Sequence, residues 1–170
     1  MLTNLSPPLI EPVSLEDTKR FLRVDHDDEN DLILALIASA RERLESYLNI
    51  CLISRPLRSV QPAKHAVTLP RWPVQSVDAV RLDDIVTTDF DTDLRSRPGR
   101  VFLRIDPGPD ATLTIDFTAG FGTARDDLPT PLQQAIWLLV SQGYEHRDSP
   151  DMGLPLMVDA LTQPYRMVSL

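Results

Sequence analysis

One cysteine, six glycines and three histidines in 170 residues leave little material for several common kinds of site. The single thiol, Cys51, excludes an intramolecular disulfide, and its place between Ile50 and Leu52 reads as a buried, inert side chain. His26, His65 and His146 fall in different segments at no ligand spacing, which argues against a zinc site and leaves no metal or other cofactor expected. The glycines build no phosphate-cradling loop or nucleophile elbow, and Gly120-Phe121-Gly122 reads as a strand-ending turn. Long apolar runs are missing too. Even Ala135 to Val140 is too short for a membrane span, and MLTNLSPPLIEP lacks the pattern of a secretion signal, so a cytoplasmic protein is expected. Basic charge is scarce: 17 Lys and Arg face 25 Asp and Glu, for a net charge of -8, which opposes a general nucleic-acid-binding surface. Arg95, Arg97, Arg100 and Arg104 lie close together but read as the solvated flank of a turn and strand.

What the chain does have is proline, fifteen in all, and an ordinary globular balance of 42% hydrophobic and 25% charged residues. Pro7, Pro8 and Pro12 make residues 1–13 an extended arm. Ser14, followed three residues later by Asp17, is an N-cap signal for a short helix over 14–23 with Leu15, Thr18, Phe21 and Leu22 on one face. A long amphipathic helix follows over 28–49. Leu32, Leu36, Ala40, Leu44 and Leu48 recur every four residues, Ile33, Ile37 and Tyr47 widen the stripe, and Arg41, Glu42, Arg43 and Glu45 cover the other face. Asn49 suits its C-terminal end.

Between 53 and 120 the pattern changes to short strands separated by Pro, Asp and Gly. Candidates are Arg55–Gln61, Ala66–Leu69, Val74–Leu82, Val101–Ile105 and Thr112–Thr118. Pro56 and Pro62 make the first of these short or an edge. Helix returns over 130–147, with Thr130 as cap, Pro131 in the first turn, and Leu132, Ala135, Ile136, Leu139, Val140 and Tyr144 on the buried face. A last short helix over 155–162 precedes an apolar tail, 163–170. The fold class expected is α+β: a helical bundle of N- and C-terminal helices with an inserted small antiparallel β-sheet lobe. Residues 14–162 then form a single domain.

Two constellations invite a chemical reading. Asp25, Asp27, Glu29 and Asp31 alternate like a calcium loop, but Asn30 stands where the loop needs glycine and Leu36 where it needs a bidentate glutamate. Helix capping explains the acids better. Glu145 beside His146 could supply an acid and a base, but adjacent helical residues point in different directions. No catalytic residue emerges.

Three stretches carry a family resemblance. They are EPVSLEDTKRFLRVDHDDENDLI within Glu11 to Tyr47, VTLPRWPVQSV over Val67 to Val77, and a discontinuous third set. That set joins IDFTAGFG from Ile115 to Gly122, Leu128-Pro129 through Arg147, and Pro164-Tyr165-Arg166. In order and spacing they resemble the head–tail connector (adaptor) proteins of tailed bacteriophages and phage-like gene transfer agents. The stretch Asp83 to Asp93 departs from that pattern, which often has a longer glycine-containing hairpin there. The resemblance implies a non-enzymatic structural part: a dodecameric ring beneath the portal protein, assembled in the host cytoplasm and carried at the head–tail junction of the particle. Such a ring continues the DNA channel without sequence-specific binding, touches no membrane, and receives a tail-completion (stopper) protein. It further implies that Tyr165, Arg166, Met167, Val168 and Leu170 anchor the chain in a portal groove. The residues alone leave open a small cytoplasmic hydrolase or nucleotide-binding enzyme using His146 or His65, or a monomeric binding module.

Overall fold

The computed structural model describes residues 1–146 and 153–166. Its strands are β1 (Leu2–Asn4), β2 (Arg55–Pro62), β3 (Ala66–Thr68), β4 (Val74–Leu82), β5 (Ile85–Thr87), β6 (Phe90–Asp93), β7 (Arg100–Leu103) and β8 (Thr112–Ala119). Its helices are α1 (Leu15–Leu22), α2 (Asn30–Leu48), α3 (Thr130–Glu145) and α4 (Leu156–Thr162). The fold is α+β. By contact the chain divides into two compact units, Met1–Leu9 with Asn49–Thr123 and Ile10–Leu48 with Ala124–Leu170.

The first unit holds an antiparallel sheet of order β1-β2-β8-β4-β5 and a second of order β3-β7-β6. Leu57, Val80, Leu113, Ile115 and Phe117 from the larger sheet meet Val67, Val101 and Leu103 from the smaller in one buried cluster. Each is a β-branched, aromatic or leucine side chain at alternate positions of its strand, so the two apolar faces satisfy each other. Three strands fall outside the sequence expectation. β1 turns the start of the expected arm into an edge strand, with Thr3 opposite Arg58. β5 and β6 lie in the Asp-rich stretch. Asp83 and Asp84 take φ of 48° and 65°, a left-handed pair that closes the β4–β5 hairpin without glycine. The Asp83 carboxylate accepts from the Thr112 N–H at 2.8 Å, which helps to hold that turn.

β2 is neither short nor at an edge. Pro56 is tolerated because the donor it lacks would face Leu5, one residue past the end of β1, and there its carbonyl accepts from the Leu5 N–H instead. Gly120 marks the corner after β8. Its φ is 144°, and an added Cβ would sit 2.3 Å from the Ser54 nitrogen, so neither the angle nor the space admits a side chain.

The second unit packs α2 against α3, and α3 against α4. Ser14 caps α1 by accepting from the Asp17 N–H, as expected. On α2 the buried positions are Ile33, Ile37, Ala40, Leu44 and Leu48, with Arg41 and Glu45 buried beside them at 7% and 3% exposure. This corrects the solvated face assigned to those two charges. Arg41 Nε reaches the Glu11 carboxylate at 2.8 Å and its Nη1 reaches Glu45 at 3.5 Å, so Arg41 is paired both with the segment before α1 and along its own helix. Thr130 lies inside α3, with Pro129 in the cap position and no side-chain cap bond.

A buried, partnered charge is weak evidence for stability but costly to break. Arg41→Ala removes a buried cation that pairs with both Glu11 and Glu45 and should lower unfolding free energy by about 3 kcal/mol in denaturant melts. Gly120→Ala should cost about 3 kcal/mol or more by the same measurement, because strain and a backbone clash act together.

Candidate partner-docking site

The candidate site residues sit where the chain leaves α4. Val158 and Thr162 are fully buried on the inner side of that helix, and the Thr162 hydroxyl donates to the Val158 carbonyl at 2.8 Å. Seven helical residues cannot bury both faces. Leu156 and Met157 are consequently 90% and 60% exposed. A 3-10 turn, Gln163–Tyr165, follows at once. The Arg166 guanidinium then lies 3.5 Å from Asp159 and 5.1 Å from the centre of the Tyr47 ring. Tyr47 donates from its hydroxyl to the same Asp159 carboxylate at 2.6 Å, a bond that raises the phenol's pKa. Arg166 therefore starts the tail clamped to its own unit by an ion pair and a cation–π contact. Of the five residues expected to dock, Tyr165 and Arg166 are brought together here; Met167, Val168 and Leu170 lie outside the described residues. Sequence reasoning did not single out Leu156 and Met157. The usable signal was an apolar run, Leu156-Met157-Val158, on a helix too short to cover it.

A second exposed apolar feature lies on the helices of this unit. Phe21 of α1 stacks on Trp137 of α3 at 5.9 Å between ring centres, yet remains partly exposed, as does Leu34.

The acidic joint is spent on protein partners. Lys19, itself buried, reaches Asp27 at 2.6 Å, and the Asn30 amide donates to the same carboxylate at 3.2 Å. The Lys19 bond holds the Asp27 pKa below the usual carboxylate value. Glu29 accepts from the Tyr144 hydroxyl. Among the described residues, no group of three or more His, Cys, Asp or Glu side chains is placed to hold a metal ion. Glu145 accepts from the Ser141 hydroxyl at 3.2 Å, and His146 terminates α3. Among the described residues no helix is long and apolar enough to cross a membrane.

In the first unit, the outer face of the larger sheet carries Asp116 at the centre of β8. It accepts two hydrogen bonds from Arg58 of β2, at 2.6 and 2.9 Å, and one from Arg81 of β4 at 2.7 Å. The Arg58 bonds are the main cause of an Asp116 pKa lowered to about 2. The four clustered arginines are partly engaged: Arg97 lies 3.7 Å over the Trp72 ring, and Arg104 pairs with Asp91 through a 2.7 Å bond. Trp72, from the VTLPRWPVQSV stretch, also meets Phe121 edge-on at 5.4 Å, and Gln75 bonds Ser54 and the Gly120 carbonyl at 2.8 and 2.9 Å. That motif locks the corner leading into β4.

Residues 12–83 match the family of phage gp6-like head-tail connector proteins. The likeness is to a head–tail connector. Three similar solved chains come from gene transfer agent (GTA) particles. One, in the neck of an empty particle computed with C6 symmetry, is 28% identical at a TM-score of 0.85, covering 100% of this chain and 97% of that one. A second, in the virion of a native particle, is 26% identical at 0.84, with the same two coverages of 100% and 97%. A third, in a native neck computed with C12 symmetry, is 27% identical at 0.81, again with 100% and 97% covered. The comparison with curated proteins gives no match. Connector family and neck structures alike are structural proteins and not enzymes, and they support a connector role for this chain.

The sign of the Asp116 shift sets a pH dependence. Its folded pKa lies below the unfolded value of about 3.9, so its contribution is present above that value and is lost as pH falls towards 2. Acid titration of wild type against Asp116→Asn should show an excess loss in the wild type of about 1–2 kcal/mol across that window, read by circular dichroism.

Proposed function

We propose that the chain forms a dodecameric ring at the head–tail junction, beneath the portal, continuing the DNA channel and receiving the tail-completion protein. The observation that carries the proposal is the end-to-end match to a chain of a GTA neck computed with C12 symmetry. Charge fits the role: a net -8 keeps phosphate from adhering as DNA passes. Assembly takes place in the host cytoplasm before the ring becomes part of the particle.

Portal docking is assigned to the end of the second unit, through Leu156 and Met157 with Tyr165, Arg166, Met167, Val168 and Leu170. Aromatic, Met and Arg side chains favour interface cores, and Leu156 and Met157 are exposed among the described residues. The clamp of Arg166 on Asp159 and Tyr47 leaves that pair exposed.

Deleting residues 163–170, or introducing Leu156→Asp with Met157→Asp, should leave the β unit's melting unchanged and abolish co-sedimentation with portal-containing capsids. Wild-type attachment by both variants would remove the docking assignment.

A further inference from the structure

Among the described residues the larger sheet ends in two edges, β1 and β5, and their backbones fit each other. On β1, the Val60 N–H donates to the Met1 carbonyl and the Leu5 N–H to the Pro56 carbonyl. With Thr3 opposite Arg58, residues 1, 3 and 5 face β2, and the N–H and C=O groups of Leu2 and Asn4 point away from the sheet. On β5, the two-residue turn at Asp83-Asp84 makes Leu82 and Ile85 a hydrogen-bonded pair. Ile85 and Thr87 therefore face β4, and Val86 alone directs its backbone outward. One edge offers a single residue; the other offers two residues, two positions apart.

That is the stoichiometry of a parallel ladder, in which one residue bonds the two that flank its opposite number. The directions agree as well. All neighbours in the order β1-β2-β8-β4-β5 are antiparallel, so β1 and β5 run the same way. Continuing the sheet from one copy to the next thus makes the new pair parallel. The side-chain faces match too. Thr3 and Val86 lie on the outer face, in line with Arg58 and Arg81. Leu2 and Ile85 lie on the core face, where Leu2 already packs against the core cluster. Ile85 and Val86 are 73% and 63% exposed, with no charge, proline or bulge among the three residues of β5 to blunt that edge.

We propose that β5 of one copy adds in parallel to β1 of the next, Val86 N–H donating to the Leu2 carbonyl and Asn4 N–H donating to the Val86 carbonyl, with Ile85 covering Leu2. The occupant is a second copy of this chain, because the two complementary edges belong to one sheet and make a heterologous, head-to-tail contact. The inference rests on the ring reading above and specifies its register. Two hydrogen bonds per contact are too few to hold a ring unaided, so they set register while other surfaces supply affinity.

The test is a cysteine pair, Thr3→Cys with Val86→Cys, in assembled particles oxidised with a mild oxidant and run on a non-reducing gel. In the proposed register Thr3 stands opposite Val86, within disulfide reach. The native Cys51 is buried and gives no background. A ladder of covalent multimers from the double variant, absent from either single variant, is expected. Particles that contain the chain at wild-type level without a ladder overturn the edge pairing and leave the ring standing. Absence of the unsubstituted chain from particles overturns both. As a second arm, Val86→Pro removes only the outward donor and keeps the β4–β5 hairpin bonds. It should fold with a near-unchanged melting curve yet lose at least tenfold in incorporation; wild-type incorporation overturns the proposal.

Discussion

The larger sheet depends on Asp116. An antiparallel sheet packed on one side must keep its other side wet or internally satisfied, and the centre of this outer face is only 9% exposed at Asp116. A carboxylate there is tolerable because arginines from both neighbouring strands meet it, three hydrogen bonds in all. Those bonds tie β2, β8 and β4 on the face opposite the core. The register of the three central strands fixes where β1 and β5 present their unpaired backbone, so the polar triad and the open edges are parts of one arrangement.

The helical unit solves a different problem in a similar way. Its long helix is covered on more sides than an amphipathic stripe requires, and two charges go under with it. Arg41 pairs with Glu45 and also with Glu11, which secures the chain just before α1. At the other end, Asp159 gathers Tyr47 and Arg166. Buried pairs fix geometry, whereas the exposed Arg104–Asp91 pair contributes little, being open to solvent on both sides. Exposed apolar surface at Leu156, Met157, Ile85 and Val86 is what the two docking proposals draw on.

Much of this was legible in the residues, where one local rule acted alone. Ser14 and Asp17 announced α1, Asn49 in its left-handed conformation ended α2, and the alternation Leu113-Ile115-Phe117 gave the core face of β8. Errors arose where tertiary contacts override local pattern. Arg41 and Glu45 look solvated until Arg41 is seen paired with both Glu11 and Glu45. Pro56 looks like an edge residue until its missing donor falls beyond a three-residue partner strand. β5 was hidden because Asp-Asp, without glycine, forms the tight turn. The tail residues of the proposed docking surface drew notice through the family resemblance alone, while Leu156 and Met157 are conspicuous only once the helix carrying them is known to be short.

The central claim is that this chain is a ring-forming connector whose sheet runs from copy to copy. A cryo-electron reconstruction of the neck in particles containing the chain tests it most directly. The account predicts a closed ring of this fold at the head–tail junction, with continuous strand density joining β5 of each copy to β1 of its neighbour. A neck that lacks this fold, or a ring whose β1 and β5 edges stand apart, would contradict it.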